Sequence, residues 1–507
     1  MSPFDRALRA GLLAAALLVP AAYAQTATGL DDAARSAVVA KAADAVRTRY
    51  IFPEVGEQAA VKIEGQLAAG AYKDLSQPRA FADKLTADLQ SVTKDKHMRV
   101  SAPGPAPAPN GGAAARPAPP PNDGGIVRAD RLAGNIGYIE VSGFPPPGVF
   151  KAPTDKAMAA LAATKAMIID IRRNGGGSPD SVAYLVSFFV DGAKPPMLIN
   201  DFTNRKAGTT EFTTRQSFSV KTPTSYLGKP VYVLTSPHTF SGGEEFAYDM
   251  QAFKLGTLVG ETTGGGANPG GVVPIGPQLG LFVPNGRPIN PVTKTNWEGV
   301  GVVPDLPAPV EDALKVALDK AGQKPAAKDI DTLSQAKLFE PRKTATPGLD
   351  ALARKILEAD AKGEPAIDIM TPGLAQASTA QRDSLFKLYA SLGPLQTLTF
   401  QGPGGGGGDS YLASFAYGSR TVSIGQNAEG KVASFFISPG PRQIDAQRTA
   451  AFKAIDTNAD GKVDKPEYRT MLTTIGYPDR FDDFLAQIDT NKDGLITVEE
   501  YRANVEQ

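Results

Sequence analysis

Ser241 stands in "TSPHTFSGGEEF" (Thr235 to Phe246), between a strand-like run, "PVYVLT", and an amphipathic run, "EEFAYDMQAFKLG". Two roles suit a serine at such a corner. Ser241 and Glu244 match the Ser-x-x-Glu capping box, in which the serine does no more than start a helix. The same hydroxyl can instead be a nucleophile at a helix N-terminus, where backbone N–H groups stabilise an oxyanion. A nucleophilic serine needs a base within reach. The chain offers two histidines, His97 and His238, and no cysteine. Thiolate nucleophiles, zinc–thiolate sites and disulfides are thereby excluded.

Three further stretches bear on Ser241. "DIRRNGGGSPD" (Asp170 to Asp180) runs from an apolar strand into three glycines before a helix. Such a turn can aim backbone N–H groups at a reacting oxygen, or it can simply be a tight connection. It lacks the Gly-Lys-Ser/Thr ending of a nucleotide phosphate loop. "GETTGGGANPGG" (Gly260 to Gly271) contains no lysine, and "NWEGVGVVPD" (Asn296 to Asp305) sets Glu298 beside the only tryptophan.

Taken in order, "DKHMRV", "GYIEVSGF", "DIRRNGGG", "TSPHTFSGGEEFAYDMQ", "VGETTGGGANPG" and "NWEGVGVVPD", after a helical preamble, resemble the C-terminal processing (tail-specific) serine peptidases. The likeness is closest to the branch of tricorn protease cores and interphotoreceptor retinoid-binding protein repeats, and it spans residues 30–306. The resemblance implies a crotonase/ClpP-like α/β core and a peptide or protein substrate. It makes Ser241 the nucleophile. Gly176, in the turn Gly175 to Gly177, and Gly242 would supply the oxyanion-hole amides. The processing branch takes a lysine base from the stretch matching "TTGGGANPG", which this chain lacks, so a Ser-Lys dyad is ruled out. The tricorn branch places a histidine and a glutamate at positions matching His97 and Glu298. Lys96 stands where a serine precedes that histidine, and His238 remains the rival base. The retinoid-binding relatives imply the alternative of a non-catalytic binder of apolar ligands or peptides on the same scaffold.

The tail carries separate chemistry. "DTNADGKVDKPE" (Asp456 to Glu467) and "DTNKDGLITVEE" (Asp489 to Glu500) each fit the EF-hand calcium loop. Asp456, Asn458, Asp460, Asp464 and bidentate Glu467 supply oxygens in the first, with the Lys462 carbonyl. Asp489, Asn491, Asp493, Thr497 and Glu500 do so in the second, with the Leu495 carbonyl. Val463 and Ile496 fall where paired loops touch through a short β bridge. The cofactor expected is Ca²⁺.

The elements that must position these groups follow from periodicity and composition across 507 residues. Residues 1–24 read as a cleaved export signal: Arg6 and Arg9, an apolar stretch, then Ala22-Tyr23-Ala24. The expectation is an exported protein, periplasmic or secreted, not integral to the membrane after cleavage. Residues 25–100 are expected to form a helical subdomain, 101–127 a Pro/Ala/Gly-rich linker and 128–306 an α/β core of strands alternating with helices. The resemblance implies that a PDZ domain often stands at the place of this linker, which is too short to be one. Residues 307–345 read as a second linker, 346–440 as an α+β module and 446–507 as an all-α EF-hand pair. Lys+Arg and Asp+Glu each number 53, so no global charge favours nucleic acid.

Overall fold

The computed structural model describes residues 30–102, 122–276, 279–324, 329–392, 395–404, 408–415, 418–427, 429–440, 452–453, 455–474, 489, 493–498 and 500. The expected signal segment and most of the first linker lie outside the described residues. So does Asn491. No helix among the described residues is long and apolar enough to cross a membrane.

Helices Asp32–Arg49, Pro53–Ala68 and Pro78–Thr93 open the described chain. Asp31 caps the first, accepting from Ala34 N at 2.7 Å, and Arg47 and Arg49 sit in its last turn, where cations favour the helix dipole. The other two start on proline, whose missing N–H costs nothing at the first helical position. Their apolar faces do not close on each other alone. Val38, Val46, Phe81 and Leu85 share a core with Ile275, Leu281 and Val283, from far along the chain.

The strands in chain order are β1 (Arg99–Ser101), β2 (Ile126–Leu132), β3 (Ile136–Val141), β4 (Ala166–Asp170), β5 (Leu198–Arg205), β6 (Phe212–Phe218), β7 (Val231–Thr235), β8 (Thr257–Gly260), β9 (Gly270–Gly276), β10 (Leu279–Pro284), β11 (Gly286–Ile289), β12 (Leu306–Pro307) and β13 (Ser334–Phe339). Seven of them form the main sheet, in the order β12-β8-β7-β4-β3-β2-β13. β3, β4, β7, β8 and β12 run parallel, and β2 and β13 antiparallel at one edge. β3 and β4 are buried along their whole length, as strands covered on both faces must be. Met167, Ile169 and Val233 face helices Pro147–Leu161, Pro179–Val186 and Gly242–Ala252, while Ile168, Leu234 and Val259 face helix Ala313–Lys320. β1-β10-β9 and β11-β5-β6 make two small antiparallel sheets.

The helical region and the α/β core belong to one compact unit, Gly29–Arg342, because β1 pairs with β10 (Arg99 opposite Phe282). Residues 307–345, expected to be a linker, are instead largely part of the core. β13 pairs with β2, burying Phe339, and helix Ala313–Lys320 covers one sheet face. The apolar run "GVVPD" (Gly301 to Asp305), whose composition suggests a strand, forms none; Gly301 takes a positive φ of 74° and Pro304 interrupts.

The second unit begins at Lys343. Helix Leu349–Asp360 buries Leu349, Ala353 and Ile356 against Tyr411, Ile424 and Val432 of a four-stranded antiparallel meander: β14 (Leu395–Pro403), β15 (Asp409–Phe415), β16 (Gly418–Gln426) and β17 (Val432–Pro439). Within the same unit, β18 (Lys462–Val463) and β19 (Ile496–Thr497) pair antiparallel, with Val463 opposite Ile496.

Candidate active site

β4 and β7 lie side by side in the parallel sheet and end at Asp170 and Thr235. The connections leaving their carboxyl ends, where ligands of open α/β sheets bind, carry the glycine turn and Ser241. Ser241 is the N-cap of helix Gly242–Ala252, and its backbone sits at φ 53°, ψ −122°. That is strained for a residue with a side chain, by roughly 1–3 kcal/mol. The capping-box reading is correct as structure: Ser241 N donates to Glu244 Oε2 at 2.9 Å. Capping alone needs no positive φ, however, since helix N-caps ordinarily sit in the β region.

The glycine turn is pressed directly against this corner. A Cβ on Gly176, whose φ is +105°, would stand 2.7 Å from Ser241 Cβ, so only glycine fits. Asn174 shapes the turn: its Nδ2 donates to Val141 O at 3.0 Å, its Oδ1 accepts from Gly176 N at 2.8 Å and its carbonyl accepts from Phe240 N at 3.0 Å. This changes one expectation. Gly176 N–H is committed to Asn174 Oδ1, whereas Gly177 N–H, on the side of the turn facing Gly242, is not. Neither Gly177 N nor Gly242 N donates to an acceptor among the described residues, and the Cβ position of Gly242 lies 3.0 Å from Gly177 N. The unpaired amides at this corner are thus those of Gly242 and Gly177, while that of Gly176 is paired.

His97 and Glu298 are brought together, and Asp95 joins them. One ligand-type atom from each lies within 4.8 Å of the others. His97 Nδ1 is 3.7 Å from Asp95 Oδ1. Asp95 is fixed by His97 N at 2.9 Å and by Asn268 Nδ2 at 2.9 Å. Glu298 Oε2 accepts from Ala267 N at 2.5 Å and Asn268 N at 3.1 Å. Burial pushes the His97 imidazole down to about 4, with Arg99 adding to the effect. Burial pushes the Glu298 carboxyl up to about 7, and Asp95 nearby acts in the same direction. Asp95 is raised by its own burial.

Loop 263–268 links the two halves. Glu244 holds it from the serine side, accepting from Thr263 Oγ1, Gly265 N and Gly266 N at 2.5, 2.6 and 2.8 Å. Trp297 Nε1 donates to Gly266 O at 2.8 Å. Phe240 lies against the His97 ring, with centroids 4.7 Å apart, and the Cβ position of Gly266 is 2.9 Å from His97 Cε1. No hydrogen bond joins His97 to Ser241 among the described residues. His238, the rival, is exposed on the wall of the adjoining cleft, and its backbone N–H donates to Ser236 Oγ. The cleft has a volume of about 1640 Å³ and is lined in part by Lys96, Arg99, Arg173, Gly176 and Phe240.

Sequence reasoning passed over Asp95, Asn174 and the wider role of Glu244. The first two stood inside quoted motifs, "DKHMRV" and "DIRRNGGG", as the polar residues beside the glycines and the histidine.

In the tail, the first loop is drawn together by its own carboxylates. Asp456 Oδ2 accepts from Gly461 N at 2.9 Å and Asn458 Oδ1 from Asp460 N at 2.8 Å. Asp460 Oδ1 accepts from Lys462 N at 2.9 Å, and Glu467 N donates to Asp464 Oδ1 at 2.8 Å. Glu467 Oε1 accepts from Thr457 N at 2.7 Å. In the second loop, Asp489 accepts from Gly494 N at 2.8 Å, Asp493 from Leu495 N at 2.9 Å and Glu500 from Thr497 N at 3.0 Å. Both loops keep the turn glycine at positive φ, 86° at Gly461 and 82° at Gly494. The donor set is one of hard oxygens on short loops, which suits calcium.

Comparison with known proteins fits this geometry. Residues 135–308 match Peptidase family S41. The core is a peptidase S41 domain. Residues 31–124 match the N-terminal domain of peptidase S41 in eukaryotic IRBP, and residues 449–472 and 481–505 match the EF hand. The chain is 28% identical over 186 residues to the tricorn protease of Thermoplasma volcanium, an alignment that covers 35% of this chain; the chain spans only 15% of that relative's length. Among solved structures it is similar to a candidate peptidase from Parabacteroides merdae ATCC 43184, with TM-score 0.41 and 20% identity, covering 56% of this chain and 92% of that one. It is also similar to the photosystem II D1 C-terminal processing protease, with TM-score 0.37 and 16% identity, covering 55% and 94%.

Proposed function

We propose that the chain is an exported serine-type peptidase acting on peptide or protein substrates, with calcium bound by its EF-hand tail. The observation that carries this reading is Ser241 at a strained strand-to-helix corner, flanked by the undonated amides of Gly177 and Gly242. In the reaction, Ser241 Oγ attacks the scissile carbonyl carbon as His97 takes its proton, and the resulting oxyanion is held by the two amides. His97 then returns the proton to the leaving amine, and water repeats the sequence on the acyl-enzyme. Burial keeps His97 neutral at pH 7, the form that accepts a proton. Asp95 and Glu298 lie beside it to steady the imidazolium. The hydrogen bond between His97 and Ser241 must close for the first step. Ser241→Ala is expected to abolish peptide hydrolysis; hydrolysis at the unaltered rate would end the reading.

In the tail, Asp456, Asn458, Asp460, Asp464 and Glu467, and their counterparts Asp489, Asn491, Asp493, Thr497 and Glu500, would hold Ca²⁺ with the Lys462 and Leu495 carbonyls. Bound calcium would neutralise the carboxylates and join the flanking segments. Export rests on residues 1–24, and N-terminal sequencing of protein recovered outside the cytoplasm should begin after Ala24. A second reading, a non-catalytic binder of peptides or apolar ligands, is favoured by the unmade His97–Ser241 bond and by Phe240 against the imidazole. A chain that binds such ligands identically with and without Ser241→Ala, and hydrolyses none, is what that reading predicts.

A further inference from the structure

We propose that Asp95, His97 and Glu298 form a site for one divalent transition-metal ion of the zinc class, and that its occupancy switches the peptidase off. The binding half stands on geometry alone; the switching half rests on His97 being the base of Ser241.

The cluster is of mixed chemistry, one imidazole and two carboxylates, with a ligand-type atom of each within 4.8 Å of the others. That donor set suits zinc and its neighbours, whereas calcium and magnesium favour oxygen alone. His97 Nδ1 and Glu298 Oε1 are both buried with no hydrogen-bond partner among the described residues. So is Oδ1 of Asn268, a residue only 1% exposed that hydrogen-bonds both carboxylates, through its Nδ2 to Asp95 and its N to Glu298. Three unpartnered buried polar atoms in one place are costly unless something satisfies them. No lysine or arginine forms an ion pair with Asp95 or Glu298 among the described residues; Arg99 is close enough to act on His97 but is exposed. A divalent ion supplies the missing positive charge. The outer arrangement is already in place, since Asn268 Nδ2 holds Asp95 and the Ala267 and Asn268 amides hold Glu298.

The switch follows from the two ring nitrogens. A metal on Nδ1 uses the lone pair of that nitrogen, so the single imidazole proton must reside on the other. An N–H there cannot accept the proton of Ser241. Removing the metal returns the proton to Nδ1 and restores the base.

The test uses the full chain in excess calcium, which occupies the EF-hand loops. Zinc chloride is titrated calorimetrically into the Ser241→Ala chain, so binding is read without any hydrolysis. One zinc per chain is expected, weakened roughly 100-fold in the additional presence of His97→Gln or Glu298→Gln. Calorimetric calcium binding and circular dichroism show that each variant is folded. Absence of a zinc site under calcium, or equal zinc binding with and without these two changes, overturns the proposal. In the unsubstituted chain, zinc should suppress hydrolysis reversibly on chelation. Zinc that binds this site without slowing hydrolysis overturns the switching half. A chain that never hydrolyses peptides yet binds zinc here retains the site and defeats the peptidase reading instead.

Discussion

At the scale of single residues, burial sets the chemistry of His97 and Glu298 in opposite directions. An exposed imidazole protonates near 6.5, whereas His97 is held down to about 4. With the Glu298 ionisation removed in Glu298→Gln, the acid limb of kcat/KM should therefore lie near pH 4, and a limb at pH 6.5 in that variant would mean that His97 is not the base. Glu298, pushed up to about 7, ionises across the neutral range. Its negative charge beside His97 favours the imidazolium, so hydrolysis should rise between pH 6 and 8 and lose that rise in Glu298→Gln. The stability signs follow the same shifts. His97 binds fewer protons folded than unfolded, so its contribution is lost as pH falls from 6.5 towards 4; the contribution of Glu298 is lost as pH rises through 7. Asn174 acts through the backbone it holds. Asn174→Ala releases the Gly176 amide and the Phe240 amide–carbonyl contact is left on an untethered turn. It should lower kcat roughly 100-fold with little change in KM, the signature of a misplaced oxyanion amide.

At the scale of elements, loop 263–268 is the part that joins serine to histidine, and it is pinned from both sides. Glu244 is buried and accepts from Ser241 N, Thr263 Oγ1, Gly265 N and Gly266 N. Glu244→Ala orphans these donors and should cost about 3 kcal/mol or more in urea unfolding, while disordering both the serine corner and the loop. The sequence announces Glu244 only as the last letter of a capping box, because its contacts with the loop are long-range. The same limit explains what was legible in the elements. β3, β4 and β7 read clearly because apolar runs buried on both faces leave no ambiguity. β6 did not, since all but one of its residues are exposed or polar-facing, and β13 looked like linker because only Phe339 is fully buried. Gly176 was read as an oxyanion donor from its place in the glycine run. Which amide a turn leaves unpaired depends on the Asn174 side chain, and spacing carries no trace of that.

At the scale of the whole molecule, the chain separates into two compact units, one holding the peptidase S41 domain and the other the α+β module and EF-hand loops. The order of these parts was legible from composition and periodicity. The joining of the helical region to the core was not, because it rests on β1 pairing with β10 across more than half of that unit. Val463 and Ile496 were legible because EF-hand spacing is rigid, and they pair as expected. Calcium titration should find two sites, one lost in Glu467→Gln and the other in Glu500→Gln. The central claim, that His97 activates Ser241, is tested most directly by the rate at which a serine-directed phosphonate inactivates the full chain. The account predicts label on Ser241, a rate at least about 100-fold lower in His97→Ala, and an unchanged rate in His238→Ala. Label on another residue, or a rate indifferent to His97→Ala, would contradict it.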